Sequence, residues 1–303
     1  MSTEKKLPLV IIVGPTAVGK TSVSIDLAEK LNGEIVSADS RLLYRGMDIG
    51  TAKPDRRTRA RVPHHMIDLV EPEEEFTAAE FQRRARTFLR RRVILVGGSG
   101  LHFRAVVDPL TFAPSDFEMR EKLDRRPLLE NIAELRRIDP DADRHVDTTN
   151  PRRVVRALEI YHLTGRTPSQ RAASEEAQAV RSYRSLFDFT AVGLDPGPRL
   201  ADRVAGRFAG MLAAGLLDEV RALAPRLGRT ASQAVGYKQL LPVVQGEEQE
   251  DTGVAEAVKA TLRLAKHQRT YFHRDPRISW VPWSEDPDSL YESVRSVFEE
   301  ATE

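Results

Sequence analysis

The chain of 303 residues contains no cysteine, which excludes disulfide bonds and every metal site built on thiolates. It also lacks any apolar run near the ~20 residues that a membrane-spanning helix needs. The apolar stretch that follows the charged residues 1–6 is too short for the core of a signal peptide. Together these absences predict a cytoplasmic protein that does not enter a membrane.

An excess of charge of one sign is also missing, because 46 Lys and Arg face 45 Asp and Glu for a net charge of +1. The net charge therefore does not indicate a nucleic-acid partner. The distribution of the charged residues along the chain is more informative. Arginines cluster at 56–61, 83–86, 90–92 and 152–156. Arginine suits two-pronged contacts with phosphate, although each cluster alone is also typical of a solvated helix face.

The clearest motif is the run from Gly14 to Thr21, which matches Gly-x-x-x-x-Gly-Lys-Thr. An apolar stretch at 9–13 precedes it and a helical pattern follows, so the motif has the strand–loop–helix context of a phosphate site. Backbone N–H groups and the helix N-terminus would then face an anion. Lys20 adds a positive charge, and the hydroxyl of Thr21 is placed to ligate Mg²⁺. The motif indicates a polyphosphate without saying which one.

The remainder of the chain alternates apolar runs with helical patterns. The sequence predicts buried strands at 9–13, 34–39, 66–70, 92–98, 188–195 and 278–281, and helices at 21–32, 77–91, 199–223 and 253–273. This alternation is typical of an α/β fold with a parallel sheet flanked by helices. Since residues 115–186 show a charged, helical pattern without a clear strand, we expect a P-loop core of residues 1–114 plus 187–303 and a helical insertion domain of residues 115–186.

Two polar features follow predicted strands, and parallel sheets bind ligands beyond the carboxyl ends of their strands. Asp39 could hold a metal through water or accept a proton from a nucleophile, and an N-cap for a following helix explains it equally well. The turn Gly97–Gly100 carries Ser99 and permits close approach of a ligand. An ordinary tight turn would have the same composition.

Three further elements could contact phosphate or RNA. Arg152 and Arg156 lie four residues apart and so share one helix face, as do Arg203 and Arg207. Surface charge is the default interpretation of each pair. The run 233–238 combines a flexible glycine with an aromatic ring and a cation, which suits base stacking and phosphate contact but also fits an ordinary loop.

Taken together, these strings resemble the tRNA dimethylallyltransferase family, also called tRNA isopentenyltransferases. The resemblance spans most of the chain and rests in order on Gly14–Thr21, Ser37–Arg41, Tyr44–Pro54, His64–Asp68, Gly97–Gly100, Pro151–Glu159, Gly215–Val220 and Val235–Lys238. Tyr44–Pro54 is the most specific string, because many unrelated phosphotransferases share the phosphate loop. Without cysteine the chain cannot form the zinc finger of eukaryotic relatives, so it resembles the bacterial type.

The resemblance implies transfer of a dimethylallyl group from dimethylallyl diphosphate to N6 of adenine 37 in tRNA, with Mg²⁺ as cofactor. The insertion would grip the anticodon stem-loop. By matched position, Asp39 would be the general base and Arg207 would face the leaving diphosphate. The residues implied to hold the diphosphate are Gly14, Thr16, Ala17, Val18, Gly19, Lys20 and Thr21, with Thr21 also on the metal. The residues implied to contact tRNA are Asp39, Ser40, Arg41, Leu42, Ser99, Arg152, Arg153, Val154, Val155, Arg156, Gln233, Ala234, Val235, Gly236, Tyr237 and Lys238.

The sequence also departs from the family pattern and leaves alternatives. The family usually has Thr at Ser99, Tyr at His102 and Trp-Phe where this chain has Tyr271 and Phe272. A small-molecule kinase on the same core, a prenyltransferase for free adenine nucleotides, and an RNA-binding protein without catalysis are the competing functions. The arginine-rich insertion favours tRNA over a free nucleotide, and a monomer is the default expectation.

Overall fold

The computed structural model describes residues 9–89 and 92–300. Within these ranges the strands are β1 (Leu9–Val13), β2 (Glu34–Ser37), β3 (His64–His65), β4 (Val93–Gly97), β5 (Phe189–Asp195) and β6 (Ile278–Pro282). They form one parallel sheet in the order β3-β2-β4-β1-β5-β6. The predicted α/β class with a P-loop NTPase-like parallel sheet flanked by helices is therefore confirmed.

Helices connect these strands. They are α1 (Lys20–Leu31), α2 (Arg56–Arg61), α3 (Ala78–Phe88), α4 (Gly100–Val107), α5 (Phe117–Asp124), α6 (Leu128–Ile138), α7 (Pro151–Thr164), α8 (Pro168–Ala172), α9 (Glu175–Arg181), α10 (Leu200–Ala213), α11 (Leu216–Leu223), α12 (Tyr237–Val244), α13 (Glu250–Phe272) and α14 (Pro287–Glu300). The end of the helix predicted at 77–91 and the first two arginines of the 90–92 cluster lie outside the described residues, as do residues 1–8. No helix in the described ranges has the length and apolarity to cross a membrane.

The strands read as continuous apolar runs because helices cover both faces of the sheet. Successive side chains of a strand point to opposite faces. Ile11 and Val13 accordingly join the core under α3, α4 and α10–α13, whereas Ile12 joins the core under α1 and α14. This two-sided burial holds the loops at the carboxyl ends of β1, β2 and β4 next to one another.

The strand predicted at 66–70 is wrong. The strand in this part of the chain is the two-residue β3, and it pairs with β2 at Ile35 and Val36. Met66 and Asp68 adopt left-handed backbone conformations, with φ of 62° and 54°, which end the extended chain. Asp68 turns to bind Lys53 and Arg59 instead, at 2.6 Å each.

The single helix expected over 199–223 is divided into α10 and α11. Gly215 has a φ of 95°, a conformation that costs other residues more than glycine, and it precedes the new helix. Val204 and Phe208 of α10 are buried. After the break, α11 packs against α12.

The chain divides into two compact units, one of which is Asp108–Leu186 and contains α5–α9. This unit has a core of its own, formed by Leu123, Leu135, Ala142, Val154, Val155, Ala157 and Leu158. The buried carboxylate of Glu159 joins its segments, accepting hydrogen bonds from the backbone N–H of Asp116 at 2.8 Å and from Arg120 and Arg156. The sheet and the other helices belong to the second unit.

Candidate active site

The phosphate loop joins β1 to α1 in a shape that requires its glycines. Gly14 and Gly19 have φ values of 147° and 84°. A Cβ on Gly14 would lie 2.8 Å from the carbonyl oxygen of Leu194 in β5, so a side chain there would push the loop away from the sheet. No side chain of the described residues caps α1 at Gly19, and the first N–H groups of this helix are left to bind an anion.

Lys20 is the cation of this loop. Its Nζ donates to the carbonyl oxygen of Pro15 at 2.5 Å, which folds the side chain back over the loop. Burial lowers the pKa of Lys20 to about 8, with nearby Asp39 opposing the shift and Arg207 adding to it. The ammonium group of Lys20, which a bound anion would stabilise, is therefore held beside the loop before a ligand binds.

Two arginines of α10 contact the phosphate loop. Arg203 is half-buried, so the default interpretation as surface charge is wrong for this residue, whereas Arg207 is exposed. Arg203 Nε donates to the carbonyl oxygen of Ala17 at 3.0 Å, and its guanidinium lies 3.7 Å from the ring centre of Trp283. Arg207 Nη1 donates to Thr16 Oγ1 at 3.3 Å. Although Arg207 is exposed to solvent, the protein atoms around its guanidinium lower its pKa by desolvation, an effect that nearby Asp39 opposes.

Gln268 is a site residue that motif reasoning missed. Its Oε1 accepts a hydrogen bond from the backbone N–H of Thr16 at 3.0 Å. A Cβ on Gly98 would lie 2.5 Å from its Nε2, so Gln268 fits between the phosphate loop and the turn after β4. The available signal was periodicity, because Thr261, Leu264, Gln268 and Tyr271 recur at helical spacing and share one face of α13.

Asp39 follows β2 and stands at the same edge of the sheet. Its Oδ1 accepts a hydrogen bond from the backbone N–H of Arg41 at 2.8 Å, which is a local turn rather than a helix cap. The N-cap alternative is wrong, since the next helix, α2, begins at Arg56 and is capped by Asp55. No described donor binds the second oxygen of Asp39, which lines a cavity.

The turn after β4 packs closely against Asp39. A Cβ on Gly97 would lie 2.2 Å from the carbonyl oxygen of Ala38, so only glycine fits between β4 and β2. Ser99 Oγ lies 2.6 Å from His102 Nδ1. Burial lowers the pKa of His102 to about 4, which keeps this imidazole neutral near pH 7. The hydroxyl of Ser99 is thereby oriented by a neutral partner that is itself buried against Phe81.

Two adjoining cavities meet at this edge. The first, of about 440 Å³, is lined by Ala17, Val18, Gly19, Lys20, Thr21, Ser22, Ile25, Pro54, Thr58 and Arg207. The second, of about 390 Å³, is lined by Thr16, Ala17, Asp39, Ser40, Arg41, Gly50, Thr51, Gly98, Ser99, Gly100, Val204, Arg207, Phe208, Met211, Gln233, Ala234, Val235, Thr261, Leu264, His267, Gln268 and Tyr271. Ala17 and Arg207 border both cavities, so a phosphate cradle and a more apolar chamber with one carboxylate share a boundary.

The string Tyr44–Pro54 folds into a loop that forms a wall of both cavities. Lys53 is the centre of this loop, because its buried Nζ binds Asp48, Asp68 and the carbonyl oxygen of Tyr44, at 2.6, 2.6 and 2.7 Å. Gly50 and Thr51 of the loop border the second cavity, and Pro54 borders the first. The string that is most specific in the sequence therefore shapes the site.

Several residues implied to contact tRNA are buried instead. Tyr237 is fully buried and donates its hydroxyl to Glu219 Oε1 at 2.5 Å, so its ring is not free to stack on a base. Burial raises the pKa of the Tyr237 phenol, and Glu219 adds to the shift. Ala234 borders the second cavity although it is 1% exposed, and Gln233 and Val235 border it beside Ala234. Gly236 is buried and Lys238 is exposed, and neither borders either cavity.

The residues of α7 that are implied to contact tRNA are also partly buried and partly exposed. Val154 and Val155 belong to the core of the 108–186 unit, so their side chains stabilise α7 and are not available to a ligand. Arg156 donates to the carbonyl oxygens of Ala113 and Pro114, at 2.8 Å each, which is a structural role. Arg152 and Arg153 are exposed on the first turn of α7. Of the residues implied near Asp39, Ser40 and Arg41 border the second cavity, and Leu42 is half-buried outside it.

The donors around the phosphate loop fit a divalent metal that keeps most of its water. Among the described residues, no three His, Asp or Glu side chains converge as a metal site. Thr21 is exposed at the start of α1 and borders the first cavity beside Lys20. Mg²⁺ in such sites is bound through few protein oxygens together with substrate phosphates. A single hydroxyl beside a phosphate cradle is consistent with that chemistry.

Comparisons of the sequence and of the structure with known proteins identify the same family. A family model described as IPP transferase matches residues 42–275. A tRNA dimethylallyltransferase of Streptomyces avermitilis is 43% identical over 296 residues, which cover 93% of this chain and 92% of the relative. The crystal structure of the full-length tRNA isopentenylpyrophosphate transferase from Bacillus halodurans is 34% identical, with a TM-score of 0.69 and 98% of each chain covered. A eukaryotic dimethylallyltransferase acting on tRNA, 24% identical with a TM-score of 0.75 over 97% of this chain and 77% of that one, shares the fold.

Proposed function

The chain belongs to the IPP transferase family, and we propose that it transfers a dimethylallyl group from dimethylallyl diphosphate to N6 of adenine 37 in tRNA. One observation carries this proposal: the phosphate cradle and the chamber that contains Asp39 share a boundary at Ala17 and Arg207. A donor with a diphosphate on one side and an acceptor amine on the other would meet at that boundary. The bond that breaks, between the prenyl group and the diphosphate, would then lie where the two cavities meet.

The diphosphate would occupy the first cavity. The free N–H groups at the start of α1 and the cation of Lys20 would bind its oxygens, and Arg207 would approach from the side. Thr21 and the diphosphate oxygens would hold Mg²⁺, which supplies positive charge beside the negative charge of the leaving group. Groups fixed in advance stabilise developing charge more than mobile water does, because they need not reorganise during the reaction.

The acceptor adenine would enter the second cavity, where Asp39 borders the chamber. The bond between C1 of the prenyl group and the diphosphate oxygen breaks while a bond from N6 to C1 forms, and the diphosphate leaves with the electron pair. N6 then carries one proton too many, which the open oxygen of Asp39 would accept. The backbone N–H of Arg41 holds the other oxygen, so the carboxylate keeps one orientation.

The apolar residues of the second cavity would hold the prenyl group. Val204 and Phe208 come from α10 and Leu264 from α13, and all three border the chamber. Apolar walls exclude water from an allylic carbon that develops positive charge, and so prevent hydrolysis from competing with transfer. Tyr271 and Ser99 border the same chamber where the family usually has Trp and Thr.

The exposed arginines of the insertion would contribute to tRNA binding through the phosphate backbone. Arg152 and Arg153 are available for such contacts, whereas Arg156 is held by carbonyl oxygens of its own unit. Adenine must also leave its stack to reach the chamber, at a cost of a few kcal/mol that is lower in a loop than in a duplex. An anticodon loop is the kind of RNA that proteins recognise through splayed bases.

The experiment is prenyl transfer from labelled dimethylallyl diphosphate with Mg²⁺ to unmodified tRNA, with AMP and ATP as parallel acceptors. We expect label on tRNA alone. Digestion to nucleosides should show the label on adenosine, and mapping of ribonuclease fragments should place it at position 37. An otherwise identical tRNA with guanosine at position 37 is the matched control and should receive no label. Label on AMP or ATP would overturn the acceptor, and no label on any acceptor would overturn the reaction.

A further inference from the structure

Glu219 of α11 does not border either cavity, yet it binds two segments that do. Its Oε2 accepts the backbone N–H groups of Asp48 and Ile49 at 2.9 and 2.8 Å, and its Oε1 accepts that of Gly50 at 3.0 Å. The hydroxyl of Tyr237 donates to the same Oε1 at 2.5 Å. Four donors from two parts of the chain thus converge on one carboxylate.

The arrangement around Glu219 differs from an ordinary ion pair. Among the described residues no cation pairs with it, so its charge is balanced by three successive backbone dipoles and a hydroxyl. Successive N–H groups that point to one side form a concave anion site, and hydrogen bonds to an ionised acceptor are about twice as strong as neutral ones. Both oxygens of Glu219 accept hydrogen bonds. A glutamine of the same shape would replace one of these oxygens by an NH2 group, which cannot accept.

The two segments that Glu219 joins both contribute to the lining of the second cavity. Gly50 and Thr51 border the second cavity from the loop 44–54, and Val235 borders it from the segment before α12. Their fit is close, because a Cβ on Gly50 would lie 2.6 Å from the ring of Tyr237. The packing of Gly50 on Tyr237 and the shared carboxylate of Glu219 therefore hold these segments together on one side of the chamber.

We propose that Glu219 is a positioning residue for the acceptor, which sets the width of the chamber without touching either substrate. This inference rests on the proposed function. The phosphate loop is held by other contacts, from Arg203, Arg207 and Gln268. Gly50 and Thr51, beside the Glu219 anchor, border only the second cavity, and Pro54, which borders the first, follows the separate anchor at Lys53. Loss of Glu219 should therefore affect the acceptor and spare the diphosphate, whereas a general structural role would affect both.

The test compares Glu219→Gln and Tyr237→Phe with Asp218→Asn. The Asp218 variant is the matched control, because it removes a carboxylate from the neighbouring position of α11 whose side chain is 83% exposed and binds only Arg221. For Glu219→Gln we expect kcat/KM for tRNA to fall about 10- to 100-fold, the range that a misplacement of about 1 Å produces. The Kd for dimethylallyl diphosphate should stay within about twofold of wild type by the same reasoning. Tyr237→Phe should show a smaller loss of the same kind.

Amide hydrogen exchange supplies a readout that does not require turnover. The N–H groups of Asp48, Ile49 and Gly50 should exchange faster in Glu219→Gln, and those of the phosphate loop should not. The double variant should lose no more acceptor efficiency than Glu219→Gln alone, because the hydroxyl and the carboxylate act as one unit. If Glu219→Gln does not fold, Tyr237→Phe carries the same comparison with less disturbance.

Wild-type acceptor kinetics in a folded Glu219→Gln variant would overturn the inference. Equal losses of acceptor efficiency and of diphosphate affinity would also overturn it, in favour of a general structural role. Failure of the proposed function can be distinguished from failure of this inference. If wild-type protein prenylates AMP instead of tRNA, the proposed acceptor is wrong. The loss of acceptor efficiency relative to diphosphate affinity, measured with AMP, then still tests Glu219. If it prenylates neither, the reaction is wrong, and unchanged exchange at Asp48–Gly50 would refute the anchoring itself.

Discussion

The charge on Lys20 should control how tightly the ligand-free protein binds a diphosphate. Burial lowers the pKa of Lys20 to about 8, so about nine-tenths of the protein carries the cation at pH 7 and about one-tenth at pH 9. If only the charged form binds well, the apparent Kd for dimethylallyl diphosphate rises about tenfold between these two values. The last phosphate pKa is near 6, so the ligand itself changes little over this range.

Calorimetric titration with dimethylallyl diphosphate and Mg²⁺ at pH 7, 8 and 9, without tRNA, measures this change. Binding should take up a proton near pH 8 to 9, because the bound anion raises the pKa of Lys20. The matched variant is Lys20→Arg, whose charge persists above pH 12, and its affinity should vary little between pH 7 and 9. A wild-type Kd that stays constant over this range, or an equal rise in Lys20→Arg, would refute the reasoning.

The same shift has an opposite consequence for stability. The pKa of Lys20 in the folded protein lies below the ordinary lysine value of 10.5, because burial penalises the charged form. Between pH 8 and 10.5 the unfolded chain binds more protons than the folded one at this residue, and the contribution of Lys20 to stability rises with pH. Thermal unfolding of ligand-free Lys20→Met at pH 7 should therefore show no loss of stability relative to wild type, although the variant binds the diphosphate poorly.

Three further predictions concern residues that hold the site. Arg203→Gln removes the anchor at the carbonyl oxygen of Ala17 and the contact with Trp283, and should weaken diphosphate binding about tenfold in the same titration, the equivalent of one hydrogen bond to a charged group; an unchanged Kd would contradict it. Lys53→Met leaves the carbonyl oxygen of Tyr44 without its partner and should cost about 1–3 kcal/mol in urea unfolding, a discounted value because Asp48 is largely exposed; a loss confined to activity would contradict it. Gly100→Ala places a Cβ 2.0 Å from the ring of Tyr271 and should lower transfer to tRNA, and Tyr271→Ala in the same chain should relieve part of that loss if the clash is its cause.

The sequence predicted the elements that depend on local pattern. The phosphate loop and its flanks carry a fixed spacing, and five of the six predicted strands form. Four of them have no exposed residue, so continuous apolar runs marked them, whereas the edge strand β6 has two exposed residues. The exception, 66–70, is apolar for another reason. Met66 and Val70 are buried within a turning segment that positions Asp68 for Lys53. Apolar content alone does not distinguish a strand from such a segment.

Contacts between distant segments could not be predicted from spacing. The pairs Gln268–Thr16 and Arg203–Ala17 join residues 252 and 186 positions apart. Tyr237 shows the opposite error, because an aromatic residue beside a glycine and a lysine suggested base stacking, whereas its ring is buried and its hydroxyl is bound to Glu219. A residue type indicates which chemistry is available, and only the fold decides whether a side chain is exposed to use it.

The most direct measurement is the single-turnover rate of transfer with Asp39→Asn, at saturating dimethylallyl diphosphate and tRNA. Asparagine keeps the oxygen that accepts from Arg41, and it loses the negative charge together with the ability to take a proton. The account predicts a rate about 10²- to 10⁴-fold below wild type, with tRNA affinity within about twofold. A loss of tRNA affinity as large as the loss of rate, or an unchanged rate, would contradict the assignment of Asp39 as the base and with it the chemistry proposed for the shared boundary of the two cavities.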